Sequence, residues 1–196
     1  MVKRAGSIAL LLLCAGCATS HRAFEPSAKE VAETGTGGLA AVYELRTESR
    51  WGEVRVWSDG AELREVDGVE RTFVHVGFET RNTCEARLEL DLAHTRLEAI
   101  DAGPHAVDDL AASGGDGDPG TPPHQVGTFD MEFELPEGVR PTAVRGFRVH
   151  WWIHGPDGQL YEQFTSFVPL RTRWHPTYYY DPWLFGFQYG FRVGDP

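Results

Sequence analysis

Apolar side chains recur at every second position over much of this chain of 196 residues. The most regular stretches are 86–92 and 128–135, where apolar residues alternate with charged or polar ones. Because successive side chains of a β-strand point to opposite faces, this period predicts strands with one buried face. The same pattern predicts strands over 41–45, 54–56, 74–78, 147–153 and 160–168.

Turn residues separate these stretches. Asp59-Gly60 and Asp67-Gly68 are typical of hairpin turns, and Gly155-Pro-Asp-Gly158 is expected to close a hairpin between the last two strands. Short strands joined in this way pair antiparallel. About seven to nine of them over about 130 residues predict an all-β antiparallel sandwich spanning residues 39–171.

The net charge of −11 excludes one class of partner. A phosphate backbone repels an acidic protein, so nucleic acid is not expected as a ligand. Basic proteins or cations are the partners that long-range attraction would favour.

The first 17 residues have the pattern of an export signal. Lys3 and Arg4 precede the apolar run Ile8–Leu13, which is too short to cross a bilayer. The following Leu13-Cys-Ala-Gly-Cys17 resembles the lipobox of bacterial lipoproteins, although Cys14 stands where that family most often has leucine. The resemblance implies acylation of Cys17 and removal of residues 1–16. An ordinary secretory signal is the alternative.

Loss of residues 1–16, which carry two basic and no acidic residues, would leave a mature chain of net charge −13. Two or more acyl chains give stable membrane attachment. In such lipoproteins a residue other than aspartate after the cysteine, here Ala18, implies the outer membrane of the cell envelope. The small and polar residues of 17–38 predict a flexible tether between this anchor and the sandwich.

One stretch of the sandwich also resembles a known family. Residues 72–92 contain V-x-V-x-F-x-T-x-N followed by L-x-L-x-L, and in this they resemble the immunoglobulin-like domains of many bacterial lipoproteins. The resemblance implies a binding or scaffold role and supplies no catalytic residue.

Residues 102–126 interrupt the alternation and predict a long solvated loop. Its Asp116-Gly-Asp118 resembles part of a calcium loop, but no spaced acidic residue completes a ligand set. No metal or other cofactor is expected. Cys84, whose thiol is the one left free after processing and acylation, is expected to pack at the end of a strand.

His150, Trp152 and His154 are expected on one outward face of a strand, because they are two positions apart. Three interpretations are open: surface histidines beside a packed indole, zinc ligands that would need His75 or Glu162 as a further donor, or a surface that stacks sugars or grips peptides. We take these three residues as a candidate binding site.

The C-terminal segment, residues 172–196, is dense in aromatic side chains. From Phe185 onward they alternate with small or polar residues, which predicts an extended strand with one apolar face. That face could cover the domain's own sheet, insert into a partner or lie at the membrane interface. The candidate binding residues here are Trp174, Tyr178, Tyr180, Trp183, Phe185, Phe187, Tyr189 and Phe191.

The sequence contains no Gly-x-Ser-x-Gly elbow, no His-Glu-x-x-His and no phosphate-binding glycine loop. An enzyme is therefore not expected. The favoured function is a lipid-anchored envelope module that is structural or binds a protein partner. The alternative is a module that binds cell-wall polysaccharide, and a hydrolase with its site beside the 102–126 loop is the third class.

The lipobox resemblance predicts that Cys17→Ser removes the acylated thiol. In cells fed labelled fatty acid, the wild-type protein should carry label and the variant should carry none. A matched Cys84→Ser variant should be labelled like the wild type. An unlabelled wild-type protein that still fractionates with membranes would show that the interpretation is wrong.

Overall fold

The computed structural model describes residues 21–35, 38–98, 102 and 107–170. These residues form fourteen strands in two sheets, with a short 3₁₀ helix at Pro141–Ala143. Sheet A contains β1 (His21–Arg22), β3 (Val31–Glu33), β4 (Leu39–Arg46), β5 (Arg50–Val66), β6 (Val69–Asn82), β10 (Gly114–Gly117) and β12 (Val126–Glu134). Sheet B contains β2 (Phe24–Pro26), β7 (Leu88–Leu90), β8 (Arg96–Glu98), β9 (Leu110–Ala111), β11 (Gly120–Thr121), β13 (Phe147–His154) and β14 (Leu160–Pro169).

All the strand pairs are antiparallel. The order in sheet A is β10-β12-β6-β5-β4-β3, with β1 also beside β5. The order in sheet B is β11-β7-β13-β14-β2, with β8 between β13 and β9. The predicted all-β antiparallel sandwich is therefore confirmed, whereas an immunoglobulin-like arrangement stays a prediction.

The core lies between the sheets and is built from the alternating positions of their strands. Trp151 is fully buried at its centre, with ring contacts to Tyr43 at 5.3 Å and to Phe78 at 5.9 Å. Other fully or almost fully buried side chains are Val54, Val56, Val74, Val76, Met131 and Phe133 of sheet A and Leu88, Leu97, Val149, Ile153 and Phe167 of sheet B.

The predicted strand count was too low. Six of the observed strands have eight or more residues and follow the stretches of clear alternation, but the other eight have only two to four residues. β7 lies within the clearly alternating stretch 86–92, but the other seven short strands contain too few residues to show a recognisable period.

Residues 21–33, which we expected within a flexible tether, instead form β1, β2 and β3. β2 pairs with the end of β14, and Phe24 packs edge-on against Phe147 at a centroid distance of 5.0 Å. Burial of this phenylalanine, which is 6% exposed, holds the N-terminal segment against the sandwich.

The loop expected over 102–126 also contains strands. β10 pairs with β12, and β11 pairs with β7, so the segment extends both sheets. Glycine permits the first pairing, because a Cβ on Gly115 would lie 2.7 Å from the ring of Phe129. The described part of the segment is therefore structured where it meets the sheets.

Of the two Asp-Gly turns that were predicted, one is observed and the other is not. Asp67 and Gly68 both have positive φ, 54° and 77°, and join β5 to β6 in a tight hairpin as predicted. Asp59-Gly60 was predicted to join two short strands, but it lies inside the continuous strand β5 and forms a bulge opposite β6. Ser58 stabilises the bulge by accepting a hydrogen bond from the Gly60 N–H at 3.0 Å.

The burial pattern predicts opposite effects for two neighbouring substitutions in β7. Leu90, 4% exposed, faces the core, so Leu90→Asp should destabilise the domain by about 4 kcal/mol or more. Glu89 is exposed, so Glu89→Gln should change stability by less than about 0.5 kcal/mol. Urea unfolding followed by circular dichroism measures both, and equal tolerance would contradict the assigned faces.

Candidate functional site

The outer face of sheet B carries the sequence-predicted residues of β13. His150, Trp152 and His154 all point away from the core, because Val149, Trp151 and Ile153 between them are fully buried. Across the strand pair, Phe164 lies directly opposite His150, and Glu162 lies opposite Trp152. The structure therefore brings the three predicted residues together and adds two from β14.

The imidazole of His150 lies between two aromatic rings. Its centroid is 3.7 Å from that of Trp152 and 4.2 Å from that of Phe164, with interplanar angles of 39° and 16°. Two rings so close cannot share one face of the imidazole, so both of its faces are covered. One face of the Trp152 indole is covered in the same contact.

Carboxylates surround the edge of the same imidazole. One ring nitrogen of His150 lies 3.2 Å from Glu98 Oε1, and the other contacts Glu162 Oε1. Arg148 binds the second oxygen of Glu98 at 2.9 Å, because β8 places Glu98 opposite Arg148. The imidazole is thus fixed by rings on both faces and by acids at both nitrogens.

A second group of polar side chains adjoins Trp152. The Asp91 carboxylate contacts His94 Nδ1 at 2.8 Å and lies 3.6 Å from His154 Nε2. The His94 ring is 6.1 Å from that of Trp152. Burial alone would raise the pKa of Asp91, but hydrogen bonds from the side chain and backbone of His94, together with the charges of His94 and His154, lower it below its usual value.

We call these side chains together the histidine patch. It comprises Asp91, His94, Glu98, His150, Trp152, His154 and Glu162. An open cleft of about 290 Å³ lies beside it, lined by residues 89–93, Pro119 and His154. Two members of the patch, Asp91 and His154, therefore line this recess at the end of β13 together with Glu89.

Sequence reasoning missed Asp91, His94 and Glu98. The signal for the first two was present, because an aspartate that follows a strand and precedes a histidine by three residues is typical of a side-chain-stabilised turn. Glu98 gave no such signal, because its place depends on the register of β8 against β13.

One of the two further donors proposed for a zinc site, His75, lies too far from His150 and His154 to join them. Glu162 does contact His150, but His75 lies on β6 in the other sheet, where it bonds Glu62 at 3.2 Å. Within residues 21–35, 38–98, 102 and 107–170, no three His, Cys, Asp or Glu side chains are grouped to hold a metal ion.

Cys84 lies in the turn after β6, as expected, and packs partly against the core. Its thiol contacts the side-chain oxygen of Asn82 at 3.2 Å. This contact holds the thiol within the turn.

Some predicted residues fall outside the described ranges. These are Cys17 and the aromatic candidates Trp174, Tyr178, Tyr180, Trp183, Phe185, Phe187, Tyr189 and Phe191. In the part of the chain that is described, no helix has the length and apolar character needed to cross a membrane.

The outer face of sheet A differs in character. Its arginines and glutamates pair with one another, for example Arg55 with Glu53 at 2.9 Å and with Glu79 at 3.6 Å. Trp57 lies flat on Gly77, where a Cβ would come within 2.2 Å of the indole. This half-buried tryptophan is a natural control for Trp152.

The chain matches no family model, no curated protein and no solved structure.

The lowered pKa of Asp91 predicts a contribution to stability that acid removes. Because the pKa in the folded state lies below the unfolded value of about 3.9, the carboxylate stabilises the fold above that value and ceases to do so as the pH falls through the folded pKa. Asp91→Asn should therefore cost about 1 kcal/mol near pH 6. The difference from wild type should shrink towards about pH 3.

Urea unfolding at several pH values measures this effect. Asp108→Asn, at an exposed aspartate outside the histidine patch, should follow the wild-type pH dependence. The free energy of unfolding of the wild type could instead exceed that of Asp91→Asn by the same amount at about pH 6 and about pH 3. That result would show that ionisation of Asp91 does not stabilise the fold.

Proposed function

We propose that this protein is a lipid-anchored module of the bacterial cell envelope that binds a protein partner through the histidine patch. The observation that carries the proposal is the patch itself, where an indole, three imidazoles and three carboxylates lie together, and where Asp91 and His154 line an adjoining recess of about 290 Å³. No catalytic role is part of the proposal.

The lipid anchor is supported by the order of the N-terminal segments. A basic start, a short apolar run and Ala-Gly-Cys17 come directly before the first strand, which begins at His21. The mature chain would thus contain the whole described sandwich and an acylated N-terminus. Attachment to the outer membrane, suggested by Ala18, belongs to the same proposal.

The chemistry of the patch favours a basic partner. Glu89 and Asp91 line the cleft, and Glu162 is half exposed beside Trp152. The mature chain, at net charge −13, would attract a basic surface from a distance. Trp152 supplies the aromatic contact that often dominates the binding energy at protein interfaces.

A polysaccharide ligand is the second candidate. The side chains of Asp91, His94 and His154 favour it, because they supply hydrogen-bonding groups close to the indole of Trp152. A sugar stacked on an indole needs such groups for its hydroxyls. Sugar stacking, however, needs an open face of the aromatic ring, and His150 covers one face of Trp152. A protein partner, which can use ring edges as well as faces, fits this geometry better.

The test compares two tryptophans on opposite outer faces. Trp152→Ala should remove the crosslinks formed by the anchored protein in native envelopes, because it removes the indole of the patch. Trp57→Ala, on the outer face of sheet A, should leave the crosslinks unchanged. Circular dichroism and thermal melting establish that both variants are folded.

Three results would distinguish the candidates. Loss of crosslinks to one protein in Trp152→Ala alone supports the protein partner. Co-sedimentation with isolated cell-wall polysaccharide that Trp152→Ala abolishes supports the polysaccharide. If the two variants behave identically in both assays, the histidine patch is not the binding surface.

A further inference from the structure

The outer face of sheet A has a gap at Gly77, and an indole fills it. Trp57 of β5 lies directly opposite Gly77 of β6. Because this glycine has no side chain, the indole lies over its backbone, where a Cβ would come within 2.2 Å of the ring. One face of Trp57 is therefore held against the sheet.

The second face of this indole is in a different position from that of Trp152. Within the described ranges, no aromatic ring and no guanidinium packs on Trp57, whereas the His150 ring lies 3.7 Å from that of Trp152. Trp57 is half-buried and lines a recess of about 210 Å³. Since Gly77 occupies one face of the indole, the opposite face is the one left for a ligand.

The neighbouring row of side chains supplies polar groups. Arg55, Glu79 and Thr128 lie opposite one another on β5, β6 and β12, and all three line the same recess. Arg55 and Glu79 are two positions along their strands from Trp57 and Gly77, so they share the outer face with the indole. A guanidinium, a carboxylate and a hydroxyl therefore stand beside the aromatic ring.

The turn after β3 completes the lining with Thr34 and Gly35. The Thr34 N–H donates a hydrogen bond to the Gly38 carbonyl at 2.8 Å, which closes this turn. The recess thus combines an aromatic floor, a polar wall and a rim formed by a turn.

The charges around the recess favour an uncharged ligand. Arg55 lies 2.9 Å from Glu53 and 3.6 Å from Glu79, so its charge is already balanced by carboxylates. An anion would gain little there and would be repelled by an acidic protein, and a cation would meet the guanidinium. The volume is smaller than the roughly 300–1,000 Å³ of pockets for drug-sized ligands, so the recess has room for a single ring.

We infer that this recess binds an uncharged sugar ring of a polysaccharide. A pyranose ring carries C–H groups on its faces and hydroxyls around its edge. Its face matches the open face of Trp57, and its hydroxyls match the donors and acceptors of Arg55, Glu79 and Thr128. The inference goes beyond the proposed function, because it places sugar binding on the opposite sheet from the histidine patch. It depends neither on that patch nor on the lipid anchor.

The experiment uses soluble protein that starts at residue 17 and carries Cys17→Ser. It is titrated with tetrasaccharides of N-acetylglucosamine, of glucose and of mannose, and it is sedimented with isolated cell-wall polysaccharide. We expect at least one of these probes to bind and to change the tryptophan fluorescence. Trp57→Ala should weaken this binding at least tenfold, because it removes the floor of the recess. Trp152→Ala should bind like the wild type.

Two smaller changes test the geometry of the recess. Gly77→Ala places a methyl group where the indole lies, so it should displace Trp57 and weaken binding about as much as Trp57→Ala. Thr128→Val keeps the volume and removes one hydroxyl, so it should weaken binding by about two- to tenfold. Ser166→Ala, which removes an exposed hydroxyl from sheet B, is the matched control and should have no effect. Thermal melting establishes that each variant is folded.

Three outcomes would overturn the inference. The folded protein would bind none of the four probes, or Trp57→Ala would bind them as tightly as the wild type. Loss of binding in Trp152→Ala alone would assign the sugar to the histidine patch. Loss of protein crosslinks in Trp57→Ala, without a change in sugar binding, would assign the recess to a protein partner. The crosslinks that depend on Trp152 test the proposed function separately, so either proposal can fail without the other.

Discussion

A chain of hydrogen bonds at the centre of the core joins the two sheets. The buried indole N–H of Trp151 donates to Thr165 Oγ1 at 3.0 Å, Thr165 donates to the Tyr43 hydroxyl at 2.9 Å, and Tyr43 donates to the Phe164 carbonyl at 2.7 Å. Burial raises the pKa of Tyr43, which keeps its hydroxyl protonated as a donor. The polar groups of Trp151, Thr165 and Tyr43 thus all have partners, and β4 is fixed against β14.

The position of Trp151 determines the candidate site on the other face of the sheet. Because Trp151 points inward, His150 and Trp152 on either side of it must point outward. The register that pairs Trp151 with Gln163 also places Phe164 against His150 and Glu162 against Trp152. A shift of one residue would turn every one of these side chains to the opposite face. The histidine patch and the core are therefore two consequences of one strand register.

The sequence predicted features that depend on local pattern. The long strands follow the alternation, the turn at Asp67-Gly68 follows from a dipeptide that tolerates the positive φ angles observed there, and the shared face of His150, Trp152 and His154 follows from their spacing. Features that depend on distant partners were missed. The strands within 21–33 depend on distant segments, since β1 pairs with β5, β2 with β14 and β3 with β4, and the Asp59-Gly60 bulge depends on the pairing of β5 with β6. The residues around each of these segments do not show which distant strand it will pair with.

If Cys17 is acylated as we propose, the incorporation of β1 and β2 into the sandwich limits how far the domain can stand from its membrane. Only Ala18, Thr19 and Ser20 separate that cysteine from the first strand, so the leash is at most about 13 Å long. In the proposed anchored protein, so short a linker would keep the domain from reaching across the envelope. The domain would instead diffuse laterally with its membrane and meet only molecules that come within one domain diameter of the bilayer. The distance of a molecule from the membrane would then decide whether the domain can meet it, before the chemistry of either surface matters.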